Sequence, residues 1–186
     1  MMLAMLRTLP IPMLVLLLGG CTSRVELSGI SFEPPAGAKR LEPTPSRAAQ
    51  YELNPDVRLV FYHFGDRGAG SVEANIERWI DQFEQPDGAP SRDRADIRTM
   101  ERGGLSVRRI DLSGKYVAAT QPGSGERVHE PDYRLLAAVV ETEAGPFYLK
   151  LVGPADVIGG EVGTFDAILD SLATAPVIVS EAAELP

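Results

Sequence analysis

Apolar and polar positions along this chain mostly follow a strand-like period of two, and switch to a helical period in two places. The stretch "VELSGISFEPP", from Val25, reads as the first strand, and "EPPAGAKRLEPTPSR" after it is rich in Pro and Gly and predicts a connecting loop. "AAQYEL" and "VRLVFYHF" predict a hairpin around Asn54-Pro55-Asp56. Proline presets one dihedral there, and Asn and Asp side chains bond back to the local backbone. Val57, Leu59 and Phe61 alternate with Val60, Tyr62 and Phe64, so both faces of this strand are apolar. A strand of that kind is normally covered on both sides.

The first helical stretch is "SVEANIERWIDQFEQ", with Val72, Ile76, Trp79, Ile80 and Phe83 at helical spacing. Ser71 is a natural N-cap, and Glu73 lies in the first turn, where the helix dipole favours an anion. Pro86-Asp87-Gly88 ends it. The second is "ADVIGGEVGTFDAILDSL", with Ile158, Val162, Phe165, Ile168, Leu169 and Leu172 on its buried side and three glycines that soften its first half. Between the helices lie two weaker strands, "DIRTME" and "LSVRRIDLSGKYV", joined at Gly103-Gly104. Residues 118–131 follow, and their lack of hydrophobic pattern predicts a long polar loop. "YRLLAAVVETEAGPFYLKLVGP" predicts a hairpin turning at Glu143-Ala144-Gly145-Pro146. Hairpins dominate, so the predicted fold class is α+β: an antiparallel β-sheet flanked by helices on both faces, an α/β/α sandwich. One α/β domain is expected over residues 25–175, with a poorly ordered tail at 176–186.

Composition narrows the function. The chain has 186 residues and a formal net charge of −8. That balance argues against nucleic acid as a partner, because neutralising phosphates needs a basic surface. It equally argues against adhesion to anionic lipid through a polybasic patch. The single cysteine, Cys21, excludes an internal disulfide and a Cys-based zinc site.

The position of that cysteine is informative. Arg7 is the only charge in the first 20 residues and precedes an apolar run from Leu9 to Leu18. Ten residues at ~1.5 Å each cover about 15 Å, half of a hydrocarbon core of roughly 30 Å. The run therefore has the proportions of a secretory signal and not of a membrane span. Leu18-Gly19-Gly20-Cys21 resembles the lipobox of bacterial lipoproteins. The resemblance implies cleavage between Gly20 and Cys21, a diacylglycerol on the Cys21 sulfur, and often acylation of the new amino group. Two or three chains anchor a protein stably where one does not. Residues 21–24 would then be the lipidated N-terminus and a short tether, holding the domain close to the membrane. Thr22, where an Asp usually retains such proteins at the inner membrane of Gram-negative cells, is compatible with the outer membrane.

A second resemblance covers residues 25–175. "SGISFEPPAGAKR", "LVFYHFGDRGAGSVEANIERWIDQF", "FYLKLVGP" and "FDAILDSL" resemble the PsbP-like α/β/α family. That family includes the extrinsic photosystem II subunit and a Ran-binding nuclear import factor, and its bacterial relatives look like small exported lipoproteins. Ala38 stands where many relatives carry Trp. The matching segments are fold segments, so the resemblance implies architecture and not an activity.

Candidate chemistry is sparse. Gly65 and Gly70 have phosphate-loop spacing between a strand and a helix, but Ser71 stands where the loop needs its lysine. A flexible connector and an N-cap explain the stretch better. The only histidines, His63 and His129, are the candidate ligand-binding side chains. His63 shares a strand face with Val57, Leu59 and Phe61, which favours a structural role. His129 lies near Glu130 and Asp132 in an oxygen-rich stretch that reads more simply as a solvated loop. Glu73, Glu77, Asp81 and Glu84 read as the solvated face of the first helix. No hydrolase, zinc-protease or dinucleotide motif occurs in the sequence, and no cofactor, metal or catalytic residue is implied. The expected function is that of a lipid-anchored, non-enzymatic binding or scaffolding module for a partner at the bacterial cell envelope. The alternative is a small-ligand or metal-binding lipoprotein using loop 118–131 and the Gly65–Gly70 region.

Overall fold

The computed structural model describes residues 24–65, 70–119 and 125–177. Gly20, Cys21, the predicted signal segment, most of the 176–186 tail and the centre of the Gly65–Gly70 stretch lie outside these residues. Eleven strands and three helices are described: β1 (Val25–Leu27), β2 (Ile30–Phe32), β3 (Lys39–Leu41), β4 (Arg47–Asn54), β5 (Val57–His63), α1 (Val72–Ile80), β6 (Phe83–Glu84), β7 (Asp96–Arg102), β8 (Leu105–Ala119), β9 (Arg127–Val140), β10 (Phe147–Pro154), α2 (Ala155–Gly160), α3 (Val162–Asp170) and β11 (Ala173–Thr174). A single 3-10 turn, Ser91–Arg94, precedes β7.

The main sheet runs β3-β4-β5-β10-β9-β8-β6, with β7 also paired to the long strand β8, and every pairing is antiparallel. A second, small sheet runs β1-β2-β11. Turn chemistry sets the hairpins. The Asp56 amide donates to Asn54 Oδ1 at 3.1 Å in the β4–β5 turn. Gly103 and Gly104, both at positive φ, form the two-residue turn between Arg102 and Leu105 that such left-handed backbone requires.

Two apolar clusters share the sheet. Along β9, Leu136, Ala138 and Val140 join the first cluster while Leu135, Ala137 and Val139 join the second. The first also contains Phe32 of the small sheet, Ile158 of α2 and Phe165, Ile168 and Leu169 of α3. The second contains Ile76, Trp79 and Ile80 of α1. Phe32 stacks on Phe61, ring centroids 4.4 Å apart, and so ties the small sheet to the main one.

Several sequence expectations are corrected. Of the stretch read as the polar loop 118–131, residues 118–119 and 127–131 are strand. Val117 pairs with His129 and Ala119 with Arg127, extending the β8–β9 ribbon. The ribbon's side chains are largely exposed on both faces there, so no hydrophobic alternation marks it. Lys39–Leu41, read as part of a loop, forms an edge strand whose Arg40 pairs with Tyr51. Ser28 and Gly29 split "VELSGISF" into a hairpin of its own. Phe83 and Glu84 are not helical: α1 ends at Ile80, and Phe83 pairs with Tyr116. The second helical stretch is two helices, broken at Glu161.

Candidate functional site

Two charge sites on the main sheet are satisfied differently, the Asp111 cluster and Lys150, while Arg108 beside α1 pairs with Glu73. On the α3 side, β8 presents Arg109 and Asp111. Asp111 receives a two-pronged hydrogen bond from Arg134, with Nε and a terminal guanidinium nitrogen each 2.8 Å from a carboxylate oxygen. Arg109 donates to Asp166 of α3 at 2.8 Å and to Asp111 at 3.3 Å. Burial would raise the Asp111 carboxyl, but the Arg134 and Arg109 guanidiniums outweigh it and hold it below the usual carboxylate range. Arg102 pairs with Asp170 and Arg98 with Asp96 around the same depression. Each cation here has its anion, so the region is internally neutralised.

The α1 side holds a cleft of about 340 Å³, lined by Tyr62, Phe64, Asn75, Arg78, Trp79, Gln82, Tyr148 and Lys150. The sheet builds its floor. On β10, Tyr148 and Lys150 point to the α1 face, next to Tyr62 and Val60 of β5 and Val139 and Ala137 of β9. Ala137 is small and adjoins Lys150, which leaves room for the long lysine stem. The Trp79 and Tyr148 rings meet edge to face at 5.9 Å. Phe64, 43 % exposed, stands at the mouth against Tyr62 and Tyr148.

Helix α1 supplies the other wall. Ser71 caps it, accepting from the Ala74 amide at 3.1 Å, and Asn75 reaches the Tyr148 hydroxyl at 3.3 Å. After the helix, the Gln82 carbonyl accepts from the Val117 amide at 2.7 Å. This pins Gln82, whose Oε1 accepts from Lys150 Nζ at 2.8 Å. Nζ also lies 5.6 Å from the centre of the Tyr116 ring. Among the described residues Lys150 has no ion-pair partner. Burial pushes its ammonium down from an ordinary 10.5 to about 8. Among the described residues the cleft lining contains two cationic side chains and no carboxylate, in a chain of net charge −8.

The histidines lie elsewhere. His63 ends β5 on the face of the first cluster, its ring stacked on Phe147 at 4.1 Å and Nδ1 3.4 Å from the Pro146 carbonyl oxygen. His129 is exposed on β9, opposite Val117. His63 aligns through Phe147 with Val140, and Val140 lies eleven residues from His129, roughly 35 Å at ~3.3 Å per residue. The fold does not bring them together. Among the described residues no three His, Cys, Asp or Glu side chains gather as a metal site. Lys150, which sequence reasoning passed over, had a visible signal: it is the only charge in "FYLKLV", a strand otherwise apolar on both faces.

No protein-family model matches the chain, nor does any curated protein. Solved structures do. The cyanobacterial PsbP protein CyanoP from Synechocystis is similar over 84 % of this chain and 95 % of its own, with a TM-score of 0.51 at 12 % identity. LpqN, involved in cell envelope biogenesis of Mycobacterium tuberculosis, is similar over 85 % of this chain and 87 % of its own, with a TM-score of 0.46 and 12 % identity. A Pseudomonas aeruginosa protein of unknown function gives 0.40 at 9 % identity over 82 % of this chain and 87 % of its own. The chain therefore has a PsbP-like fold, a mixed α/β architecture built on antiparallel sheet. At this identity the likeness speaks to fold alone.

Proposed function

We propose that this protein is a lipid-anchored module of the bacterial cell envelope that binds a ligand in the cleft beside α1 and does not transform it. The anchor rests on the lipobox-like Leu18-Gly19-Gly20-Cys21 after a short apolar run. No helix of the described residues is long and apolar enough to cross a membrane, which is compatible with holding by lipid. We also read the fold as two-sided, α1 covering one face and α2 with α3 the other; the division of the two apolar clusters supports this.

The observation that carries the binding reading is the cleft itself: concave, aromatic-walled and furnished with a few convergent polar groups. Scaffolding through a broad apolar patch has less support, because Phe64 and Val177 are the exposed large apolar side chains among the described residues. Binding without turnover is supported by the sequence, in which no hydrolase, zinc-protease or dinucleotide motif occurs.

Two measurements test this. Cys21→Ser should move the protein from the membrane to the soluble fraction; a variant that stays in the membrane, with residues 1–20 intact, overturns the anchor. For binding, the thermal midpoint of the chain should rise with a small-molecule fraction of envelope extract. If no such fraction shifts it while a photo-crosslinker at Phe64 captures one envelope protein, the scaffolding reading takes its place.

A further inference from the structure

The cleft also states what kind of ligand it suits. Lys150 Nζ sits on its floor with a neutral amide oxygen at 2.8 Å and an aromatic face at 5.6 Å as its neighbours. Both stabilise a cation weakly compared with a carboxylate. The same sheet shows the usual solution for a half-buried cation, since Arg109 and Arg134 each bind Asp111 and Arg108 pairs with Glu73. A floor cation left to neutral partners is completed by an anion from outside. Around that cation the walls are flat and apolar: Tyr148 and Trp79 meet edge to face, and Phe64 projects at the mouth. Such walls take a ring by offset stacking or edge contact. The volume of about 340 Å³ is at the small end of ligand pockets.

We propose that the cleft beside α1 binds a small aromatic carboxylate, its ring held among Phe64, Trp79 and Tyr148 and its carboxylate on Lys150 Nζ. This rests on the binding reading above and names the ligand class of the same cleft.

Trp79 is the sole tryptophan of the chain and lines the cleft, so its fluorescence reports occupancy directly. The test titrates the full chain with phenylacetate and with its neutral analogue phenylacetamide. At pH 7 phenylacetate should give a saturable change in Trp79 emission, with the amide needing at least tenfold more. Lys150→Met should erase that preference, and Lys150→Arg should keep part of it. Phe64→Ala, at an exposed position where folding is not at risk, should weaken both probes alike and leave their ratio unchanged. The preference should also fade between pH 8 and 10.5 as the amine loses its proton. Among the described residues, the other titratable or charged groups around it are Tyr62 on β5 with Arg47 over its ring, Tyr148 on β10, Tyr116 on β8, Tyr133 stacked behind Tyr116, Arg78 and Glu73 on α1, and Arg108 on β8. Burial raises Tyr116, Tyr133 and Tyr148 above the ordinary tyrosine value, so they stay protonated through most of that window. No saturable response to either probe, or an equal response to both, overturns the proposal. A midpoint shift with envelope small molecules but no acid preference overturns only this ligand class and leaves the binding reading standing.

Discussion

Two half-buried charge sites on one antiparallel sheet, the Asp111 cluster and Lys150, are satisfied in opposite ways. On the α3 face, Arg109, Arg134, Asp111 and Asp166 satisfy one another, and α3 closes over them. On the α1 face, Lys150 is half-buried beside a glutamine and a tyrosine ring, and a cleft opens above it. The first arrangement holds structure together, because each charge there would be costly without its partner. The second leaves a desolvation cost that its neutral partners offset only in part. Costly local choices of this kind concentrate at functional sites.

That contrast is open to attack by mutation. The largest effect is expected where the closed face is tightest. A Cβ at Gly103 would fall 2.0 Å from the Leu172 carbonyl oxygen, and φ there is +54°. Gly103→Ala should therefore cost roughly 3–4 kcal/mol, overpacking added to left-handed strain, measured by urea unfolding. Asp111→Ala leaves two arginines without their shared anion and should cost about 3 kcal/mol. The depressed Asp111 carboxyl has a matching pH signature. Its contribution is complete above the ordinary carboxylate pKa of about 4 and is lost as pH falls through the lower folded value. Unfolding midpoints of the wild type and Asp111→Ala should converge in acid; a gap that stays constant breaks this half of the comparison.

Lys150→Met should act with the opposite sign, stabilising the chain by about 1–2 kcal/mol at pH 7, because a half-buried charge with only neutral partners is removed and its stem volume kept. The folded value near 8 lies below the ordinary 10.5, so between them the unfolded chain binds more protons. Wild-type stability should accordingly rise across that window, and the advantage of Lys150→Met should shrink to nothing by its upper end. A destabilised Lys150→Met at pH 7 would place the lysine among the structural charges and erase the contrast. Phe64→Ala is the smallest case: at an exposed rim it should move stability by no more than about 0.5 kcal/mol while weakening phenylacetate.

How much of this was legible beforehand follows from what sequence patterns encode. The two-faced strand Val57–His63, the α1 stripe and the β9–β10 hairpin were legible, because strands covered on both sides write long apolar runs. The ribbon at Arg127–Tyr133 was not, because solvated strands lack alternation. The small sheet was hidden by brevity, its strands being two or three residues long. Of the cleft, Tyr62, Phe64 and Trp79 were visible as apolar positions, and the ligand-binding candidates His63 and His129 drew attention by rarity. What marks Lys150 is the lack of an anionic partner among the described residues, and its neutral neighbours Gln82 and Tyr116, distant in sequence, are assigned only by the fold.

The most direct test of the contrast is an NMR titration of the Lys150 amine in the full chain, with and without phenylacetate. The amine of the free chain should titrate near 8, and its pKa should climb when phenylacetate binds. A value near 10.5 that phenylacetate leaves unmoved would contradict it.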